Sequence, residues 1–133
     1  MIEEEKKSAV IGYWLNKADE ALESARMEMD AGRFSFAINR IYYACFYSVS
    51  ALLLKSGIQF KKHSGVRAAF HKDYIKTGLV NIELGKFYDL IYYKREQGDY
   101  RELVNFEKEE VNEHLVKARE FVAFIRRLTK TNG

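Results

Sequence analysis

The sequence predicts an all-α fold of about five helices arranged as an up-and-down bundle. Three observations carry this. Apolar residues recur at three- and four-residue spacing along most of the chain. No segment sustains the two-residue alternation of a half-buried strand. Proline is absent, and Gly32, Gly57, Gly78 and Gly98 each follow a helix-like stretch, where a glycine can adopt the left-handed C-terminal cap. These glycines divide the 133 residues into five helices. The length fits one domain over residues 1–133, with 131–133 expected to fray.

The first helix is expected over residues 4–31, with Ile11, Leu15, Ala18, Leu22, Ala25 and Met29 along one stripe. The second, 35–56, holds the most informative segment, NRIYYACFYSVSALLL. One stripe runs through Ile38, Tyr42, Cys45, Val49 and Leu52. Another carries Arg40, Tyr43, Tyr47 and Leu54. A helix with two faces to bury is central to its fold, or to its fold and also to a dimer. An arginine entering such a face needs a carboxylate, a phosphate or water, because an unpaired buried charge is costly. The third helix starts at His63 or Ser64, with Ser64 as N-cap, and ends near Thr77; Val66, Ala69 and Phe70 face inward. The fourth spans 82–97, with Leu84, Phe87, Tyr88 and Ile91 inward. The fifth, 107–130, has the stripe Val111, Leu115, Ala118, Val122 and Ile125. Glu109 and Glu110 at its start and Arg126, Arg127 and Lys130 at its end complement the helix dipole.

Composition narrows the class. Hydrophobic residues make up 47% of the chain and aromatics 14%, which places it among folded domains rather than disordered segments. The single cysteine, Cys45, has no internal disulfide partner and sits on the apolar stripe, as a buried, inert thiol would. A reducing cytoplasm is the expected compartment. The start, MIEEEKKS, is charged and unlike a signal peptide. The apolar run ending at Leu54 reads as too short and too polar to span a bilayer, so no membrane role is expected. A net charge of +3 does not by itself argue for nucleic acid. Residues 55–76, however, hold six lysines and arginines against one acid, Asp73. This stretch is either a solvated face or an anion-facing patch.

The motifs exclude several chemistries. There is no CxxC, HExxH, glycine-rich phosphate loop or GxSxG elbow, so neither a metal nor a cofactor is expected. His63, Arg67 and His71 share one helical face, either solvated or anion-binding. His114 is expected on the surface. The segment YYKREQGDYR, residues 92–101, places Arg95 on the face of Leu84, Tyr88 and Ile91. Asp99 and Tyr100 follow the Gly98 turn, either as a structural pair with Arg95 or as a binding site.

Three separated segments, NRIYYACFYSVSALLLKSG, KKHSGVRAAFHKDYIKTGLV and YYKREQGDY before a long last helix, resemble the HEPN superfamily. Within it the chain is similar to the small single-domain archaeal and bacterial proteins of UPF0332 type. In order, the segments cover most of residues 32–128; the first helix matches in character only. The resemblance implies an all-α bundle of about five helices, commonly a homodimer. Many such proteins act with a minimal nucleotidyltransferase encoded nearby, in a toxin–antitoxin-like or nucleotide-handling pair. Others are metal-independent ribonucleases marked by an arginine followed four to six residues later by a histidine. Here Arg95 stands at the arginine's place and Tyr100 at the histidine's, with Arg101 and Glu102 next. A histidine titrates near neutrality, whereas a tyrosine titrates near pH 10 and is a poor base there. Arg95 can still hold a phosphate through two bonds, and nothing in the sequence places His63 or His71 near it.

The leading expectation is therefore a non-catalytic, homodimeric binding module that partners a minimal nucleotidyltransferase or holds a nucleotide or RNA. Arg95, Asp99 and Tyr100 would bind, aided by Lys61, Lys62, His63 and Arg67. Arg40, Tyr43 and Tyr47 would build the central face or the dimer contact. The alternatives are a metal-independent ribonuclease using Arg95 and Tyr100, and a structural helical adaptor.

Overall fold

A computed structural model describes residues 2–59, 61–98 and 105–130. Helix α1 runs Ile2–Asp30, α2 Phe34–Lys55, α3 His63–Phe70, α4 Ile82–Gly98 and α5 Lys108–Lys130. A single π-helical turn, His71–Ile75, continues α3. The all-α bundle is thus as the apolar spacing predicts, with α2 at its centre, packed against α1, α3, α4 and α5.

The reason lies in the two stripes of α2. Ile38, Ile41, Tyr42, Cys45, Val49, Leu52 and Leu53 are at most 1% exposed. Full burial of an aliphatic side chain of this size contributes roughly 1.5–3 kcal/mol, so α2 anchors the core. Leu15, Ala18, Leu22, Ala25 and Met29 of α1 face it, as do Val111, Leu115, Ala118, Val122 and Ile125 of α5. By length and composition α2 could cross a membrane, contrary to the expectation from its shorter apolar run. Within this bundle, however, 67% of its most apolar stretch is buried. Its stripe Arg40, Tyr43, Tyr47 and Leu54 is half-buried. Cys45 is fully enclosed, and burial pushes its thiol far above the usual range.

The helix ends follow the glycines with one exception. Gly32, Gly57 and Gly78 have φ of 78°, 80° and 83°, a conformation that costs a side-chain-bearing residue strain. Gly98 differs: it is the buried last residue of α4 rather than a left-handed cap. A Cβ there would lie 3.6 Å from the Phe106 ring, an ordinary van der Waals separation, so neither backbone conformation nor close packing demands a glycine at this position. Ser64 does not cap α3. The helix begins at His63, one of the two expected starts, with Lys62 at the N-cap position and no side-chain cap bond. Arg126 does more than complement a dipole: it donates to the Leu15 carbonyl (3.1 Å) and to Asp19 (2.8 Å), tying α5 to α1.

The third segment departs most from its expected form. A continuous helix to Thr77 is replaced by the π turn, closed by a bond from the Lys76 amide to the His71 carbonyl of 2.8 Å. There Tyr74 is buried, with its hydroxyl against Ser56 and the Leu52 carbonyl of α2.

Candidate functional site

Three elements converge at one edge of α2. Tyr42 and Phe46 are four residues apart and share a helix face, with their rings stacked 5.8 Å apart. His63, the first residue of α3, lies on both, 4.4 Å from Phe46 and 5.5 Å from Tyr42, nearly parallel to each. Its Nδ1 and the Tyr42 hydroxyl are hydrogen-bonded at 2.8 Å. Arg95 arrives from α4 and lays its guanidinium over the same rings, 5.1 Å from Tyr42 and 5.7 Å from Tyr43. Arg40 approaches Tyr43 from within α2, at 5.6 Å.

The electrostatics of this cluster are unusual. The Nε atoms of Arg40 and Arg95 are buried and have no hydrogen-bond partner among the described residues. Among those residues neither arginine takes part in an ion pair. Aromatic faces offset part of a cation's desolvation, on the order of 0.5–2 kcal/mol, but they supply no acceptor for its N–H groups. Burial and the Arg95 charge, in that order, hold the His63 imidazole below its ordinary range. At neutral pH it is therefore an uncharged ring that can accept or donate. Burial drives the Tyr42 hydroxyl far above its usual value, so it remains a phenol. Among the described residues the site offers two cations, a neutral imidazole and phenol groups; Glu28, a carboxylate that senses the Arg40 charge, is hydrogen-bonded to Arg33. Such a set suits a phosphate or another oxyanion.

A second polar group adjoins the first. Arg67 and His71, four residues apart, converge on one oxygen of Asp89, at 2.7 and 2.8 Å. The Arg67 guanidinium also lies 5.3 Å from Tyr92 and 5.2 Å from Tyr93, and Tyr92 meets Tyr42 edge-on at 5.8 Å. Arg67 is thus already matched to a carboxylate, which leaves Arg40 and Arg95 as the better anion donors.

The residues singled out from sequence are therefore partly gathered. Arg95, His63, Arg40 and Tyr43 come together, and Arg67 stands one ring away. Lys61 and Lys62 are exposed. Tyr47 stacks on Trp14 of α1 at 5.5 Å. Asp99 and Tyr100 lie outside the described residues. His63 and Arg67 do not act as one face, because the start of α3 turns His63 onto α2 while Arg67 meets α4. Tyr42, Phe46, Asp89 and Tyr92 were not singled out as site residues. Tyr42 reads from sequence as a core residue, where its ring indeed lies, and the same ring and its hydroxyl also hold His63 and Arg95. The one signal for Asp89 was an acid in α4 waiting for the Arg67–His71 pair.

His114, expected on the surface, is buried at 7% exposure. Neither ring nitrogen has a hydrogen-bond partner among the described residues. Burial, then the Lys94 charge, lowers its pKa. Its three-residue spacing from Val111 continues the inward stripe of α5, a fit that its polar neighbours Asn112, Glu113 and Lys117 disguise. Among the described residues no group of three or more His, Cys, Asp or Glu side chains is placed to hold a metal ion.

Comparison with known proteins gives a consistent result. A profile of the HEPN domain matches residues 11–128. A UPF0332 protein of Thermotoga maritima is 50% identical over 123 residues, covering 92% of this chain and 93% of that protein. A protein of Methanocaldococcus jannaschii named as a candidate toxin is 38% identical over 108 residues, 81% of this chain and 74% of its own. A second candidate toxin of that organism is 32% identical over 83 residues, 62% of each chain.

Proposed function

This chain belongs to the HEPN domain family, and on that premise we propose that it is a phosphate-recognising binding module of a toxin-like system. Arg95 and Arg40 hold a phosphate of a nucleotide or RNA above the Tyr42–Tyr43 rings, and His63 offers a further polar contact. The observation that carries this reading is the pair of buried guanidinium Nε atoms that have no hydrogen-bond partner among the described residues. A buried N–H donor left without an acceptor costs about 1–3 kcal/mol, and a bound oxyanion offsets that cost. The candidate-toxin names of two relatives favour a toxin-like role; a cytoplasmic location and a minimal nucleotidyltransferase as partner complete the proposal. A second copy of the chain would cover the half-exposed aromatic face of α1 and α2, where Tyr13 is 54% exposed beside Trp14 and Tyr47.

Calorimetric titration with inorganic phosphate tests the anion site. Arg95→Ala is expected to weaken binding about tenfold or more, the loss of one charge-assisted contact of about 1.4 kcal/mol or more. Unchanged affinity in a folded Arg95→Ala protein refutes the reading. Light scattering on the eluting protein tests the dimer, and a monomer at micromolar concentration removes it.

A second reading is favoured by one observation. His63 stands against the same ring as Arg95, so the proton-transfer group that the sequence lacks at position 100 is supplied from another helix. On this reading the protein is a metal-independent ribonuclease. It requires cleavage of single-stranded RNA in the presence of a chelator, abolished both in Arg95→Ala and in His63→Gln. An inert wild type decides for the binding module.

A further inference from the structure

The two ring nitrogens of His63 have different surroundings. Nδ1 meets the Tyr42 hydroxyl at 2.8 Å, and the ring is held by Phe46, 4.4 Å away and nearly parallel. Nε2 makes no hydrogen bond among the described residues and is not enclosed. A neutral imidazole carries one N–H and one lone pair, so the direction of the Nδ1 bond decides what Nε2 presents to a ligand. Three observations fix that direction. His63 is uncharged at neutral pH, through burial and then the Arg95 charge. As the first residue of α3 it also sits beside helix N–H groups that oppose a positive ring. Burial keeps the proton on the Tyr42 phenol, and an imidazole nitrogen is a far stronger acceptor than a phenol oxygen, because it takes up a proton already near pH ~6.5. Behind Tyr42 lies Tyr88, its ring 6.1 Å away. The Tyr88 hydroxyl is buried and has no hydrogen-bond partner among the described residues; burial, then Tyr42, holds it well above the usual range. With Tyr88 turned to donate to Tyr42, and Tyr42 donating to His63, each buried hydroxyl proton has an acceptor. With His63 donating to Tyr42, one of the two hydroxyl protons finds none among the three groups, at a cost of about 1–3 kcal/mol.

We propose that Tyr42 is a positioning residue that locks His63 in its Nε2–H tautomer, so that the imidazole and both guanidinium groups meet the ligand as hydrogen-bond donors. Resting on the phosphate-binding reading, this adds the protonation state of the anion that the site selects. Arginine has five N–H donors and no acceptor, and a locked His63 adds one more donor. An oxyanion that carries no proton offers an acceptor to each of them. An anion that keeps a proton turns an O–H towards groups unable to accept it. A lone pair on Nε2 would reverse that preference, and it would also supply the base that the ribonuclease reading requires. The Tyr42 bond turns that lone pair inward, onto a phenol. A neutral imidazole used as a donor beside a helix N-terminus is an established device for binding developing negative charge.

The first test needs no ligand. At about pH 8, above the ordinary histidine pKa, long-range proton–nitrogen NMR correlation reports the two nitrogens of each histidine ring separately. His63→Gln identifies the signals of His63. A protonated Nε2 and an unprotonated Nδ1 are expected in the wild type. Tyr42→Phe keeps the ring on which Arg95 lies and removes only the hydroxyl. It is expected to admit the Nδ1–H form and to raise the pKa of His63, because the lost bond held the unprotonated ring. A protonated Nδ1 in the wild type overturns the proposal. So does a Tyr42→Phe protein with the wild-type tautomer and the wild-type His63 pKa. The second test titrates the same signals with dimethyl phosphate and with inorganic phosphate at about pH 6, where inorganic phosphate still carries protons. The two anions then bear the same charge and differ in their protons. Dimethyl phosphate is expected to bind about threefold or more tightly; equal or tighter binding of the protonated anion overturns the selectivity. Binding of neither anion refutes the phosphate reading and the selectivity together, while the spectra of the free protein still decide the tautomer lock.

Discussion

Replacing His114 by leucine should stabilise this protein, and most strongly in acid. His114 is 7% exposed and neither ring nitrogen is hydrogen-bonded among the described residues. Its nearest acidic oxygen, on Glu110, is 3.7 Å away and is engaged by Lys94 at 2.6 Å. A buried polar group without a partner costs about 1–3 kcal/mol, and leucine nearly conserves the volume. A gain of about 1–2 kcal/mol at pH 8 follows, or about 3–8 °C in melting temperature for a domain of this length. The pH dependence has a definite sign. Burial and the Lys94 and Lys117 charges lower the folded-state pKa of His114, while Glu110 and Glu113 oppose them. The unfolded chain therefore binds the proton first. The wild type has its full stability above the ordinary histidine pKa of about 6.5 and loses it as the pH falls towards the folded value, by at most about 1.4 kcal/mol per pH unit. His114→Leu removes that loss, so the gap between variant and wild type widens below about pH 6.5. Urea unfolding of both proteins between about pH 8 and pH 5 measures it directly. Taking the difference cancels His63, whose pKa is also lowered and which both proteins keep. A variant less stable than wild type at pH 8, or a gap that stays constant with pH, refutes the reasoning.

Three further outcomes test other parts of the structure. Arg95→Gln should raise the His63 pKa towards its ordinary value, because a nearby cation has gone; histidine NMR titration reads this, and an unmoved His63 would separate the two residues. Asp89→Asn should cost about 1–3 kcal/mol in urea unfolding, between the values for exposed and buried pairs, since its carboxylate and its partners Arg67 and His71 are only about 30% exposed. Gly57→Ala should cost about 1–2 kcal/mol purely through backbone strain, because its φ is +80° and nothing lies within 4 Å of a Cβ there; wild-type stability would count against the left-handed cap.

Much of the fold was legible because helical packing repeats. Val111, Leu115, Ala118, Val122 and Ile125 declare their inward face through spacing alone, and all are at most 3% exposed. Gly32, Gly57 and Gly78 were legible because their conformation disfavours other residues. Gly98 was misread because a glycine inside the last turn of a helix looks the same in sequence as one needed for its φ. His114 was misread because its polar neighbours suggested a surface. The π turn left no mark in the residue pattern.

The sequence by itself determined the helices, their inward stripes and the presence of an arginine without its customary histidine at position 100. These are local properties, set by periodicity and residue type. Only the tertiary structure decided that His63 stands beside Arg95, that Asp89 claims Arg67, and that Arg40 and Arg95 share the Tyr43 ring. Those pairings join residues from 22 to 55 positions apart. They arise where α2, α3 and α4 cross, and the helical repeat fixes which face a residue occupies without fixing which neighbour that face will meet.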